Sequence, residues 1–164
     1  MEPDDLERAY LAALRILNYR FNSETELRRK LRAKRFEPAV IDATLARLHS
    51  EKWLDDERFA GALVRTRARR GLGALRIKSE LAAAGVSPEV SKRVLQENID
   101  EEGQRASLKA LCEKRMRMLT RRHGEGFTAT GEGRNKLTAY LLKQGYDVAL
   151  VESIIKELSL AHHQ

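Results

Sequence analysis

Apolar residues recur along this chain at intervals of three and four, and no stretch alternates apolar with polar as a half-buried strand would. That period predicts helices near 4–20, 24–34 and 38–50, then 56–70, 74–84 and 88–98, then 102–122, 133–144 and 148–158. The stripes also repeat. A shift of fifty residues sets Leu27, Leu31, Phe36, Pro38, Val40 and Leu45 on Ile77, Leu81, Val86, Pro88, Val90 and Leu95. A further shift of sixty sets the second group on Leu137, Leu141, Tyr146, Val148, Leu150 and Ile155, with Gly85 falling on Gly145.

Turn chemistry repeats in the same register. Gly85 and Gly145 suit a left-handed residue that closes a helix, and Arg35 stands at that position in the first copy. Ser87 and Asp147 offer N-cap oxygens, while Pro38 and Pro88 fit first helical positions, where a missing N–H is no loss. Ser23 with Glu26 reads as a capping box. The expected fold is all-α: three tandem three-helix repeats forming an elongated, curved helical array. Repeat 1 spans residues 1–54, repeat 2 spans 55–99 and repeat 3 spans 100–158, followed by a tail, 159–164. The ten extra residues of the third copy are assigned to a flexible glycine-rich loop, 123–133.

The segment "WLDDERFAGALVRTRARRGLG" opens acidic and ends basic. Asp55 is placed as an N-cap, with Asp56 and Glu57 in the first turn, where carboxylates suit the helix dipole. Leu54 and Phe59 occupy the two positions of a hydrophobic staple. Phe59, Ala60, Leu63 and Val64 form the expected buried stripe, and the arginines beyond it reach solvent.

Composition changes this picture in one respect. Among 164 residues there are 31 Lys and Arg against 24 Asp and Glu, a formal net charge of +7. The surplus favours a polyanionic partner. It is concentrated in three blocks: "RRKLRAKR" (Arg28–Arg35), the acid-free run from Arg65 to Lys78, and "KRMRMLTRR" (Lys114–Arg122). The candidate contact residues are Arg28, Arg29 and Arg32; Arg65, Arg69, Arg70, Arg76 and Lys78; and Arg115, Arg117, Arg121 and Arg122. A solvated set of helix faces is the competing reading of such blocks.

Catalytic chemistry is poorly supplied. Cys112 lies in register with Leu108, Leu111 and Met116, which makes it a buried structural thiol, without a base to activate it. His49, His123, His162 and His163 lack metal-ligand spacing, so neither metal nor cofactor is expected. "GFTATGEG" lacks the Lys-Ser/Thr of a nucleotide-binding loop. Trp53 and Tyr146 could stack on bases, but their apolar neighbours argue for packing between helices. No apolar run approaches membrane-spanning length and the N-terminus lacks a signal-peptide core, so a cytoplasmic protein is expected.

"WLDDERFA" between repeats, the "SETELRRKL" helix and the run from Arg67 to Leu81 resemble the RecX family, bacterial regulators of the RecA recombinase. The similarity runs from about Leu6 to Leu158 and is weaker in the third repeat and at Arg35. It implies a protein that is not an enzyme. Such a protein binds along the groove of the RecA–DNA filament and inhibits ATP hydrolysis, strand exchange and co-protease activity. Direct nucleic-acid binding would then be weaker and the free protein monomeric. The alternative is a basic DNA-binding module of helix-turn-helix-like repeats that does not depend on RecA.

Overall fold

Most of the helices start where the sequence supplies a cap. In the computed structural model, which describes residues 3–161, the elements are α1 (Pro3–Tyr19), α2 (Glu24–Ala33), α3 (Pro38–Ser50), α4 (Asp56–Arg69), α5 (Ala74–Ala83), α6 (Pro88–Asn98), α7 (Glu101–His123), α8 (Gly131–Lys143) and α9 (Val148–Ala161). Among the described residues there is no strand, and the pattern is three consecutive groups of three helices. His162 and His163 lie outside the described residues. No described helix is long and apolar enough to cross a membrane.

The caps follow the sequence closely. The Ser23 hydroxyl accepts from the Glu26 amide at 3.1 Å. Asp55 accepts from the Arg58 amide at 2.9 Å, and its carbonyl takes the first α4 bond from Phe59. Leu54, Phe59, Ala60 and Val64 are buried, as the staple and stripe require, with Leu63 half-buried. Asp100 caps α7 through the Gly103 amide, and Asp147 accepts from the Ala149 amide at the head of α9. Arg35 adopts φ 65°, which is tolerable but strained for a residue with a Cβ.

The glycine-rich segment is shorter and more ordered than a flexible 123–133 loop. Thr130 accepts from the Gly133 amide at 3.0 Å, which starts α8 two residues early and draws Gly131 and Gly133 into the helix. The remaining connector holds a 3-10 turn at Phe127–Ala129, where the Phe127 ring stacks on His123 at 4.2 Å between centroids.

Contacts divide the chain into two compact units, one of residues up to Leu63 with Glu80–Val94, the other of Val64–Ser79 with residues from Leu95 onward. The middle repeat is thus shared between them. In the first unit, Tyr10, Leu27, Leu31, Ile41, Leu45, Leu48 and Leu54 form the core of α1–α3. In the second, Leu108, Cys112, Leu137, Leu141, Tyr146, Val151 and Ile154 form the core of α7–α9.

Each unit contains the same junction between successive repeats. In the first, the Ser23 hydroxyl donates to the Ala84 carbonyl at 2.5 Å, and Gly85 packs so closely that a Cβ there would lie 2.1 Å from Thr25 Oγ1. Asp56 accepts from the Glu24 amide at 2.9 Å across the same junction. In the second unit, the Gly73 amide donates to the Gln144 carbonyl at 2.8 Å and the Leu75 amide to the Gly145 carbonyl at 3.0 Å. The Tyr146 hydroxyl donates to the Gly71 carbonyl at 2.9 Å. In both, the turn before a repeat's last helix presents carbonyls to the start of the preceding repeat's second helix. In the first junction the N-cap hydroxyl of Ser23 takes that carbonyl; in the second, N–H groups at the head of α5, without a partner inside their own helix, take it.

The glycine requirement follows. Gly85 and Gly145 need a positive φ and also the absence of a Cβ. Arg35, at the same place in the first repeat, is exposed and meets only the first requirement.

Candidate partner-binding surface

The three basic blocks fare differently. On α2, Arg29 and Arg32 are exposed. Arg28 is half-buried and committed to the fold: its guanidinium pairs with Glu24 at 3.0 Å and, by a shorter contact, with Asp42. Those two hydrogen bonds raise its pKa above the usual arginine value, Asp42 contributing most. The same Glu24 meets the His49 ring at 2.9 Å, and the hydrogen bonds from His49 and then Arg28 lower its carboxyl pKa. Arg28 therefore departs from the expectation of a projecting, available cation. Its charge is answered inside the first repeat.

In the second block, Arg69, Arg70 and Lys78 are exposed. Arg65 is also exposed and donates to Asn98 Oδ1 at 3.3 Å. Arg76 reaches the Lys143 carbonyl and Gln144 Oε1, each at 3.4 Å, so it serves the junction of its unit as well as the surface.

The third block is the most organised. Arg115 lies half-buried with its guanidinium 4.6 Å from the centre of the Tyr140 ring, and its Nε is buried without a hydrogen-bond partner. Arg122 lines the same cavity as Arg115, about 610 Å³ in volume, between α7 and α8. Arg117 and Arg121 open instead onto a second cavity of about 870 Å³, where they meet Arg134 but also Glu113 and Glu125. Lys136, Lys143 and Arg134 escaped the sequence reading because they are scattered singly along α8. The signal was there: Lys136, Tyr140 and Lys143 are spaced to share one helix face.

Trp53 does not pack as expected. It is 54% exposed, because Lys52 takes a left-handed turn (φ 60°) just before it and Leu54 alone turns inward. Phe21 is likewise half exposed, with the Arg58 guanidinium 4.8 Å from its ring centre. Tyr146 does pack, at 1% exposure.

Cys112 is fully buried, and burial pushes its thiol up to about 11, the reverse of what a nucleophile needs. Among the described residues no group of three or more His, Cys, Asp or Glu could hold a metal ion. What this surface offers is cationic and aromatic side chains on rigid helices, suited to non-covalent recognition.

Two family descriptions match the chain: the first three-helix domain of RecX over residues 9–48, and the second three-helix domain of RecX over residues 55–95. Regulatory protein RecX of Serratia proteamaculans is 31% identical, covering 90% of this chain and 95% of the relative. Regulatory protein RecX of an Escherichia coli strain is 33% identical, covering 87% of this chain and 86% of the relative. The crystal structure of RecX from Lactobacillus salivarius superimposes with a TM-score of 0.80 at 26% identity, covering 97% of this chain and 99% of that one.

Proposed function

Since the chain belongs to the RecX family of regulatory proteins, we propose that it controls recombination and the SOS response by binding the RecA–DNA filament and inhibiting RecA. It occupies the filament groove and suppresses ATP hydrolysis, strand exchange and co-protease activity, acting as a cytoplasmic binding protein without catalysis of its own. The observation that carries this reading is the set of exposed cations at the C-terminal ends of α4 and α7, above all Arg69, Arg70, Arg121 and Arg122. Such side chains attract phosphates and acidic protein surface alike, and a filament presents both.

A second reading, a plain nucleic-acid binder, draws on the exposed Trp53 ring, since single-strand binders stack bases on aromatic side chains. One comparison separates the two. Affinity is measured for the RecA filament and for bare single-stranded DNA at the same salt concentration, alongside RecA ATPase with substoichiometric protein. Clearly tighter binding to the filament, with inhibition, supports the regulator. Equal affinities without inhibition overturn it.

A further inference from the structure

The cavity between α7 and α8 has a composition that phosphate binding alone does not explain. Its lining holds no carboxylate, yet its floor is apolar, made by Leu119, Ala139 and the exposed, flexible side chain of Met118. Around that floor stand Arg115, Arg122 and Lys143. Lys136, also on the rim, already pairs with Glu132 at 2.7 Å. Arg115 is held with its guanidinium 4.6 Å from the centre of the Tyr140 ring, which fixes this cation beside the apolar floor. The site therefore sets a fixed cation beside an apolar floor.

We infer that this cavity docks an acidic protein segment carrying an apolar anchor residue. Carboxylates of the segment take the guanidinium groups of Arg115 and Arg122, since a planar fork matches a carboxylate in two parallel bonds. The anchor rests on Met118 and Leu119, methionine being suited to accommodating varied apolar shapes. A sugar-phosphate backbone would satisfy the cations and leave the apolar floor unused, and the Tyr140 face that a base would need is met by Arg115. The inference rests on reading this chain as a regulator that contacts a protein partner. It assigns Arg115 and Arg122 of the third basic block to that protein and leaves DNA to the other blocks.

The test uses the full chain and fluorescence anisotropy. The probes are a short peptide of glutamates around a central leucine, the same peptide with lysines replacing the glutamates, and an oligothymidylate. The acidic peptide should bind and the lysine peptide should not. Arg122→Glu and Met118→Asp, both at exposed positions, should each weaken acidic-peptide binding about tenfold or more, as expected when a charge-assisted bond or the anchor contact is lost. Oligothymidylate binding should be unchanged by Met118→Asp, with helical circular dichroism intact throughout. No acidic-peptide binding, or binding indifferent to both substitutions, overturns the inference. So does oligothymidylate binding that falls in step with Met118→Asp, which would make the cavity a nucleic-acid site. RecA inhibition is read separately: inhibition that persists without any peptide binding sinks this inference and leaves the proposed function standing.

Discussion

Replacing Gly145 by alanine tests the junction between the second and third repeats. Gly145 has φ +90°, and a Cβ there would sit 2.3 Å from the Arg76 Cβ and 2.4 Å from its backbone nitrogen. The left-handed backbone costs an alanine about 1–2 kcal/mol. The contact is with backbone, so it cannot be relieved by rotating a side chain; the two turns must part by roughly 1 Å to reach ordinary van der Waals distance. That separation strains the 2.8 Å bond from the buried Gly73 amide and the 3.0 Å bond from the Leu75 amide. Leaving a buried donor unmade costs about 1–3 kcal/mol. The sum is roughly 2–5 kcal/mol. Gly126→Ala is the matched control, with φ +79° and nothing within 4 Å of the added Cβ. It carries the conformational cost alone, about 1–2 kcal/mol. Urea titrations followed by far-UV circular dichroism measure both. If the two substitutions lower stability equally, the close approach is not what glycine is for at Gly145.

Three further outcomes follow from the same structure. Phe59→Ala, at 3% exposure, should cost about 3–5 kcal/mol and Asp55→Ala about 0.5–2 kcal/mol in denaturation; a Phe59 loss no greater than a surface change would mean the staple is misplaced. Reversing Arg69, Arg70 and Lys78 to glutamate should weaken RecA inhibition and its sensitivity to salt, with the fold intact, whereas reversing the exposed Glu97, Glu102 and Glu152 should not. Equal losses from both sets would remove the basic track from the mechanism. Cys112 should resist Ellman's reagent at mildly alkaline pH until the chain unfolds. Its folded pKa of about 11 exceeds the ordinary 9.0, so its contribution to stability is complete below pH 9.0 and is lost as pH rises towards 11. Rapid native-state labelling would contradict its burial.

Most of the helical framework was legible because caps and stripes are local. Ser23, Asp55, Pro38, Pro88 and Asp147 each act within a few residues of themselves, and all sit where the spacing put them. The glycine at Gly85 and Gly145 was legible only in part. Its left-handed turn is a local property, but the carbonyl-to-helix junction that forbids a Cβ joins residues sixty or more apart. The pairing of Arg28 was hidden for the same reason, since Asp42, its strongest partner, comes from the next helix. Trp53 went the other way: its apolar neighbour Leu54 suggested burial, but a left-handed Lys52 decides which of the two turns inward. The two-residue shift at α8 came from Thr130, an N-cap concealed among glycines.

Gly133 stands in the third repeat where Ser23 and Gly73 stand in the first two, and it too has a carbonyl pressed against it. A Cβ on Gly133 would lie 2.0 Å from the Phe127 oxygen. At the first two positions the neighbouring carbonyl comes from the following repeat; here it comes from the connector between α7 and α8. The insertion thus acts as a plug. A repeat that exposes an empty socket can accept the matching turn of another molecule, and head-to-tail association of that kind closes into a ring or grows into an open fibre. With the Phe127 carbonyl against Gly133, that place is filled from within the chain by a connector that looks, in the sequence, like a slack loop.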